Sequence, residues 1–379
     1  MNDVPRTIGL RAKLLAAALS VVVCFALAEL GARMFYPRPP QLGREPQLRY
    51  QPDPDVGFFH VPNQSGYLDD GLATINDLGL RGARPDIPKP RDGVRVLAVG
   101  DSTTFGWGVD DGETYTQLLE GRLRAAYPHR RVDVVNAGVV SYDLKQSARL
   151  LERLAPTLQP DVVLVGVLWN DLPYEDVSPD GEPQQRRASS PRAAASRADP
   201  SSPRTFRMAI PPTGVAALMR RSRLAFALRH AWLAAVAPTE AATNQVKWEM
   251  ALLNGMQTPA IDAAWDDVGR TLSEIGSVAD KVGFTVGVLI MPIRAQVDQS
   301  FPGAAYQTRL RAIAAARGFF VIDPLERFAA AADKTRLFIP YDRMHFTGTG
   351  NGLLAEAAFD ALRARAEFQQ VRLNDGERK

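Results

Sequence analysis

The sequence predicts an α/β fold: a three-layer, doubly wound and mostly parallel sheet with a helical cap insert and an N-terminal signal anchor. Three observations carry this. From residue 94 onward, short apolar runs alternate with segments of helical periodicity, the pattern of a parallel sheet covered on both faces. The run at residues 161–168 (DVVLVGVL) is almost wholly apolar, as a strand buried on both faces requires. At the other extreme, residues 14–30 form an apolar stretch behind Arg6, Arg11 and Lys13.

That first stretch is interrupted only by Ser20 and Glu29. Basic residues on its leading flank keep the N-terminus cytoplasmic and send the following chain across the membrane. A spanning helix needs about 17 to 25 residues, which the run reaches when Ile8 to Leu10 and Gly31-Ala32 are counted. Ala26-Leu27-Ala28 followed by Glu29 also has the small-residue character of a cleavage site, so secretion after cleavage stands beside a retained anchor. Glu29, Arg33 and Met34 continue the helical pattern past that site and favour retention. The rest of the chain is thereby expected on the periplasmic or extracellular side of the inner membrane. Val23 before Cys24 speaks against a lipoprotein.

Residues 36–62 are Pro-rich and read as an irregular spacer, and residues 71–84 as strand-like and turn-like pieces along the edge of the main domain. The core then follows in order. Strands are expected at residues 94–99, 132–135 and 161–168, with helices at 115–126 and 144–154 between them. Residues 178–207 are rich in Ser, Pro, Ala and Arg, too poor in large apolar groups to offset ordering entropy. Helical patterns at 214–236 and 249–275 follow, the first carrying Arg220, Arg221, Arg223 and Arg229. The core resumes with strands at 284–290 and 319–322, a helix at 306–316 and a last helix near 349–366. The expected divisions are an anchor at 1–36, spacer and edge elements at 37–92 and two halves of the α/β domain at 93–175 and 260–368. A loop and cap occupy 176–259, and a polar tail 369–379.

Composition narrows the chemistry. The chain has 379 residues, a net charge of +3 and no basic motif interleaved with aromatics, so nucleic acid is not an expected partner. Its single cysteine rules out an intramolecular disulfide, and its 4 histidines lie too far apart in sequence for zinc-ligand spacing. No metal or cofactor is expected.

Ligands of doubly wound sheets bind beyond the carboxyl ends of the strands. Ser102 follows the first strand, Gly138 the second and Asn170 the third; Asp342 and His345 precede the last helix. Together these residues have the parts of an acyl-transfer site. A serine hydroxyl needs a base to become a nucleophile. His345 suits that task near neutral pH, and Asp342 can accept its other ring N–H. The backbone N–H groups of Ser102 and Gly138 and the Asn170 amide form an expected oxyanion hole. Thr103, Trp107 and Trp169 are candidates for the substrate pocket. Taken singly, each residue has a bland reading as turn, cap or packing; the conjunction carries the assignment.

These blocks resemble those of the SGNH (GDSL-like) hydrolase superfamily, in its bacterial membrane-anchored form. Gly100-Asp101-Ser102 matches the nucleophile block, Gly138 the oxyanion glycine, Asn170 the asparagine block, and Asp342 with His345 the closing Asp-x-x-His. Thr103 departs from the eponymous leucine, and Leu168 from the glycine two residues before the asparagine. The resemblance implies an ester hydrolase acting outside the cytoplasm, with O-acetylated glycans as the implied substrates. An O-acyltransferase with the same residues and a non-catalytic glycan-binding module are the alternatives.

Overall fold

Nothing in residues 10–35 breaks a helix, and the computed structural model forms one there without interruption, α1 (Leu10–Phe35). The structure describes residues 9–38, 44–172, 205, 207, 214, 221–236, 244–301 and 303–369. The mean hydropathy of α1 reaches 2.3 over an 18-residue window, and the helix is long and apolar enough to cross a membrane.

The Pro-rich segment expected to be irregular instead pairs β1 (Tyr50–Asp53) with β2 (Gly57–His60) as an antiparallel ribbon. Pro52 hid the first strand from sequence reading, but an edge strand tolerates proline because an outward position needs no N–H. Aromatic packing holds the ribbon: the Phe58 ring lies 6.0 Å from Tyr50 and 5.2 Å from Tyr142. A second hairpin joins β3 (Gln64–Leu68) to β4 (Gly71–Ile75). The following residue pair Arg81 and Asn136 bridges this region to the main sheet.

That sheet has strand order β6-β5-β7-β8-β9, and every pairing in it is parallel. β5 (Val94–Gly100) leads into the short helix α2 (Ser102–Phe105), and then α3 (Tyr115–Ala126) returns the chain to β6 (Val132–Gly138). α4 (Leu144–Leu158), started by an Asp143–Gln146 capping box, precedes β7 (Val162–Val167). After the insert, with its helices α5 (Arg223–Val236) and α6 (Asn244–Leu253), comes α7 (Pro259–Val282). It opens with Pro259 after the cap Thr258 and closes at Gly283, the ordinary proline-first, glycine-last pattern. β8 (Thr285–Ile290), α8 (Ala305–Ala315), β9 (Phe320–Ile322) and α9 (Gly348–Arg363) complete the domain.

The chain divides into two units, residues 1–41 with 211–241 and residues 42–210 with 242–379. In the smaller one, Glu29 of α1 accepts hydrogen bonds from the Ser222 hydroxyl at 2.7 Å and the N–H groups of Arg223 and Leu224, capping α5. The larger one contains the sheet. It also contains α6, which the sequence reading had placed in a cap. Trp248 is buried there and Glu249 pairs with Arg343 at 2.8 Å, so this end of the insert is part of the unit that carries the sheet. The helix expected at 249–275 is two helices, parted around Gly255 and Pro259. The expected loop at 178–207 lies, apart from residues 205 and 207, outside the described residues.

Arg81 is the main polar tie between the N-terminal hairpin and the domain. Its guanidinium is buried and donates to the carbonyls of Phe105, Gly106 and Val109 at 2.7–2.8 Å and to Asp111 at 2.8 Å. Replacing it leaves several buried acceptors unpaired, which is costlier than losing a surface pair. Arg81→Met is expected to destabilise the fold by about 3 kcal/mol in denaturant unfolding, whereas Arg84→Met, which breaks an exposed pair with Asp77, changes it by less than about 1 kcal/mol.

Candidate active site

The strand ends bring Ser102 to the carboxyl edge of the sheet, because β5 lies between β6 and β7 and stops at Gly100. Asp101 then caps α2: its Oδ1 accepts the Thr103 N–H at 2.8 Å and the Thr103 hydroxyl at 2.6 Å. Its Oδ2 accepts the Asn170 side-chain amide at 3.1 Å, fixing that residue beside the nucleophile block. Ser102 is therefore the first residue of a helix whose leading backbone N–H groups have no intrahelical partner.

His345 reaches the same place from the other end of the chain. The Ser102 hydroxyl lies 2.8 Å from His345 Nε2, and His345 Nδ1 lies 2.8 Å from Asp342 Oδ2. With the carboxylate ionised, Nδ1–H donates to Asp342, which leaves Nε2 to accept from the serine. Asp342 Oδ1 is held in turn by the N–H groups of Met344 at 2.8 Å and His345 at 2.9 Å. Arg294, just beyond β8, clamps this loop through the carbonyls of Asp342 at 2.7 Å and Ile339 at 2.8 Å.

The charges follow from this packing. Burial alone would raise the Asp342 carboxyl, but the charge and hydrogen bonds of His345 and the Met344 N–H hold it down to about 2. Burial alone would lower the His345 imidazole, yet Asp342 first, then Asp101 and Asp69, carry it above its ordinary value. Such an arrangement can take a proton from Ser102 and keep the resulting imidazolium paired.

Not every expected residue has its expected place. Ser102, Asn170, Asp342 and His345 converge. Gly138 is adjacent, but its N–H donates to the Asn136 side-chain oxygen at 3.0 Å and so is already engaged. The absence of a side chain there serves packing instead: a Cβ would run into the backbone of Thr104 and Phe105 in α2. Thr103 and Trp169, expected to line the pocket, are buried in the core at 2% and 1% exposure and present almost no surface to a substrate. Trp107 does border the site, its indole stacked on His345 with centroids 5.2 Å apart and planes 20° apart. Two residues near the site went unnoticed in the sequence, Arg81 and Asp69; the only local signal was a charged residue within an otherwise turn-rich segment. Among the described residues no cluster of three His, Cys, Asp or Glu side chains has the geometry to hold a metal.

This geometry has a family. The model of the GDSL-like Lipase/Acylhydrolase family matches residues 98–353, a span that includes Ser102, Asn170, Asp342 and His345, and the chain belongs to that family. It is a hydrolase of ester bonds. Solved structures with similar folds include TesA, 16% identical, with 71% of this chain and 98% of that one covered at a TM-score of 0.40. A mutant of Axe2, an acetyl-xylooligosaccharide esterase from a Geobacillus, is 15% identical, with 73% and 98% covered and a TM-score of 0.39. LAE5, an α/β hydrolase enzyme from the metagenome of Lake Arreo, is 16% identical, with 71% and 94% covered and a TM-score of 0.40. No curated protein matches the chain.

Because the imidazole is held above its usual value, ester turnover is expected to fall as pH drops through a point above 6.5, where His345 takes up its proton. Asp342→Asn removes the largest of the charges that retain that proton, so the acid limb of its kcat/KM profile should move to lower pH. An unmoved limb would detach Asp342 from the ionisation that controls the rate.

Proposed function

We propose that this protein is a serine esterase that removes short-chain O-acyl groups, such as O-acetyl groups of glycans, outside the cytoplasm. The observation that carries the reading is the unbroken run of 2.8 Å contacts from Ser102 through His345 to Asp342. As Ser102 Oγ bonds to the ester carbonyl carbon, its proton passes to His345 Nε2. The tetrahedral intermediate collapses, the alcohol leaves with that proton, and water repeats the sequence on the acyl-enzyme. The Ser102 N–H and the Asn170 amide hydrogen not directed at Asp101 are the donors we assign to the oxyanion. Gly138 is left out of that role by its bond to Asn136.

The location rests on α1, whose length and hydropathy suit a retained anchor with the hydrolase body beyond the membrane. The glycan O-acyl substrate rests on the resemblance of residues 75–82 and 104–108 to those of anchored family members. A glycan hydroxyl in place of water would convert the same steps into acyl transfer, and competition between water and added sugar acceptors measures which of the two occurs.

Turnover of a short-chain chromogenic ester by the detergent-solubilised protein provides the test. Ser102→Ala and His345→Ala are each expected to lower kcat by about 10⁵- to 10⁶-fold, and Asp342→Asn by roughly tenfold to a hundredfold less. Retained activity in the serine variant would remove the proposal.

A further inference from the structure

Glu29 is a carboxylate in a stretch of α1 that is otherwise apolar from Leu14 to Leu30, apart from Ser20. The rise from Leu10 to Glu29 is about 28 Å at helical pitch, close to the ~30 Å of a bilayer's hydrocarbon core. In a span begun at Leu10, Glu29 therefore stands at the far boundary between acyl chains and headgroups. A charge at that depth is costly unless it is paired. Its partners come from α5. The Ser222 hydroxyl donates to Glu29 Oε2 at 2.7 Å, the Arg223 N–H to Oε1 at 3.1 Å and the Leu224 N–H to Oε2 at 3.0 Å. Ser222 Oγ accepts the next N–H, from Ala225, at 3.0 Å. One carboxylate and one hydroxyl thus satisfy the leading N–H groups of α5, which would otherwise lack partners. Arg33 adds an ion pair to Glu29 at 2.9 Å. The Arg223 guanidinium in turn donates to the carbonyls of Arg33 at 2.6 Å and Tyr36 at 2.9 Å, where α1 ends and carbonyls lack helical partners.

α5 accordingly begins at the level where α1 ends its apolar stretch. Apart from Arg223, Arg229 and His230, every residue of α5 is apolar. Its 14 residues rise about 21 Å, too short to cross a bilayer. Arg223 marks the side of α5 that faces α1. At about 100° per residue, Leu228 stands about 140° around the helix from Arg223, on the side turned away. It is 58% exposed. The large apolar side chains of α1 between Leu14 and Leu30 are exposed in the same way, from 47% at Val23 to 71% at Leu15. Arg221, just before α5, and Arg229 within it are exposed cations suited to anionic headgroups. A short apolar helix with exposed cations, begun at the headgroup boundary, has the composition of one that lies in the interface.

We propose that α5 is a second lipid-contacting segment, lying in the headgroup region of a bilayer that carries anionic lipid and clamped to α1 by Glu29. The inference rests on the retained-anchor reading of α1 and is independent of the chemistry of Ser102. The chain passes between the two units three times, so a lipid-bound α5 tethers the larger unit through its insert as well as through its N-terminus.

Nitroxide labels on the full-length protein, reconstituted in phosphatidylethanolamine–phosphatidylglycerol bilayers, measure the depth of each helix. Oxygen concentrates among acyl chains and a nickel chelate in water, so the ratio of their relaxation effects reports what surrounds the label. Cys24, exposed on α1, is the chain's single cysteine and carries the reference label. In a Cys24→Ala background, Leu228→Cys carries a label on α5, and Arg122→Cys one at an exposed position of α3. The oxygen preference at position 228 should exceed that at position 122 several-fold. Glu29→Leu removes the acceptor for the N-terminus of α5. It should bring the preference at 228 down towards that at 122 and leave Cys24 unchanged. Nickel preference at 228 with oxygen preference at Cys24 overturns the inference and leaves the anchor standing. A label at 228 shielded from both reagents puts α5 against protein, whether the larger unit or a second copy, and overturns it too. Nickel preference at Cys24 removes the anchored location and this inference with it. An unchanged ratio at 228 in Glu29→Leu refutes the clamp. Should Leu228→Cys not fold, Ala231→Cys, exposed on the same helix, is read in the same way. None of these signals depends on turnover, so the esterase reading stands or falls apart from them.

Discussion

The close approach of α2 to the ends of three parallel strands is the constraint on which the site depends. Gly100 of β5 has φ +154°, and a Cβ there would meet the Thr104 hydroxyl and the Gly166 carbonyl. A Cβ on Gly166 of β7 would meet the same hydroxyl, and one on Gly138 of β6 would meet the backbone of α2. Three strands, each giving up a side chain, let a four-residue helix lie directly against the sheet edge. Only from that position does Ser102 present its hydroxyl to a histidine 243 residues later in the chain. The parallel register keeps the glycines level, with Gly100 opposite Gly138 in the ladder. A helix this short is not stable alone, so the packing beneath it supplies the order that its own hydrogen bonds lack.

The N-terminal hairpins extend this logic outward. The loop from Phe105 to Asp111 leaves α2 and would be free to move if its carbonyls met only water. Arg81 instead collects three of those carbonyls with one buried guanidinium, whose fork of donors suits several acceptors at once. Burial disfavours its charge, and Asp111 is the nearest compensation. Residues before the sheet thus determine where Trp107 sits, and Trp107 borders the imidazole. What looks like a connector between α1 and the sheet is part of the wall of the site.

How much of this was legible in the sequence depended on distance along the chain. The strands of the main sheet announced themselves as apolar runs, most plainly β5 and β7, where burial on both faces leaves little choice of residue. Ser102, Asn170, Asp342 and His345 were legible because each follows a strand or precedes the last helix, where doubly wound folds bind ligands. Gly138 was picked out as an oxyanion donor, and no local pattern in the sequence announces that its N–H is donated to Asn136. Thr103 and Trp169 failed as pocket residues because proximity in sequence to Ser102 and Asn170 does not say which way a side chain turns. Arg81 and Asp69 were illegible, since each draws its meaning from partners brought close only by the hairpin's docking. The strands around Pro52 were masked by composition.

Two loops far apart in sequence must agree on one hydrogen bond, and the way each is held differs. On the serine side the restraint is steric, a helix seated among glycines. On the histidine side it is polar: Arg294 ties the carbonyls of Asp342 and Ile339, the Ile339 N–H donates to the His345 carbonyl at 2.9 Å, and Asp342 receives two backbone N–H groups. The nucleophile is thus fixed by close packing, and the base by hydrogen bonds along its edge and an indole stacked on one face.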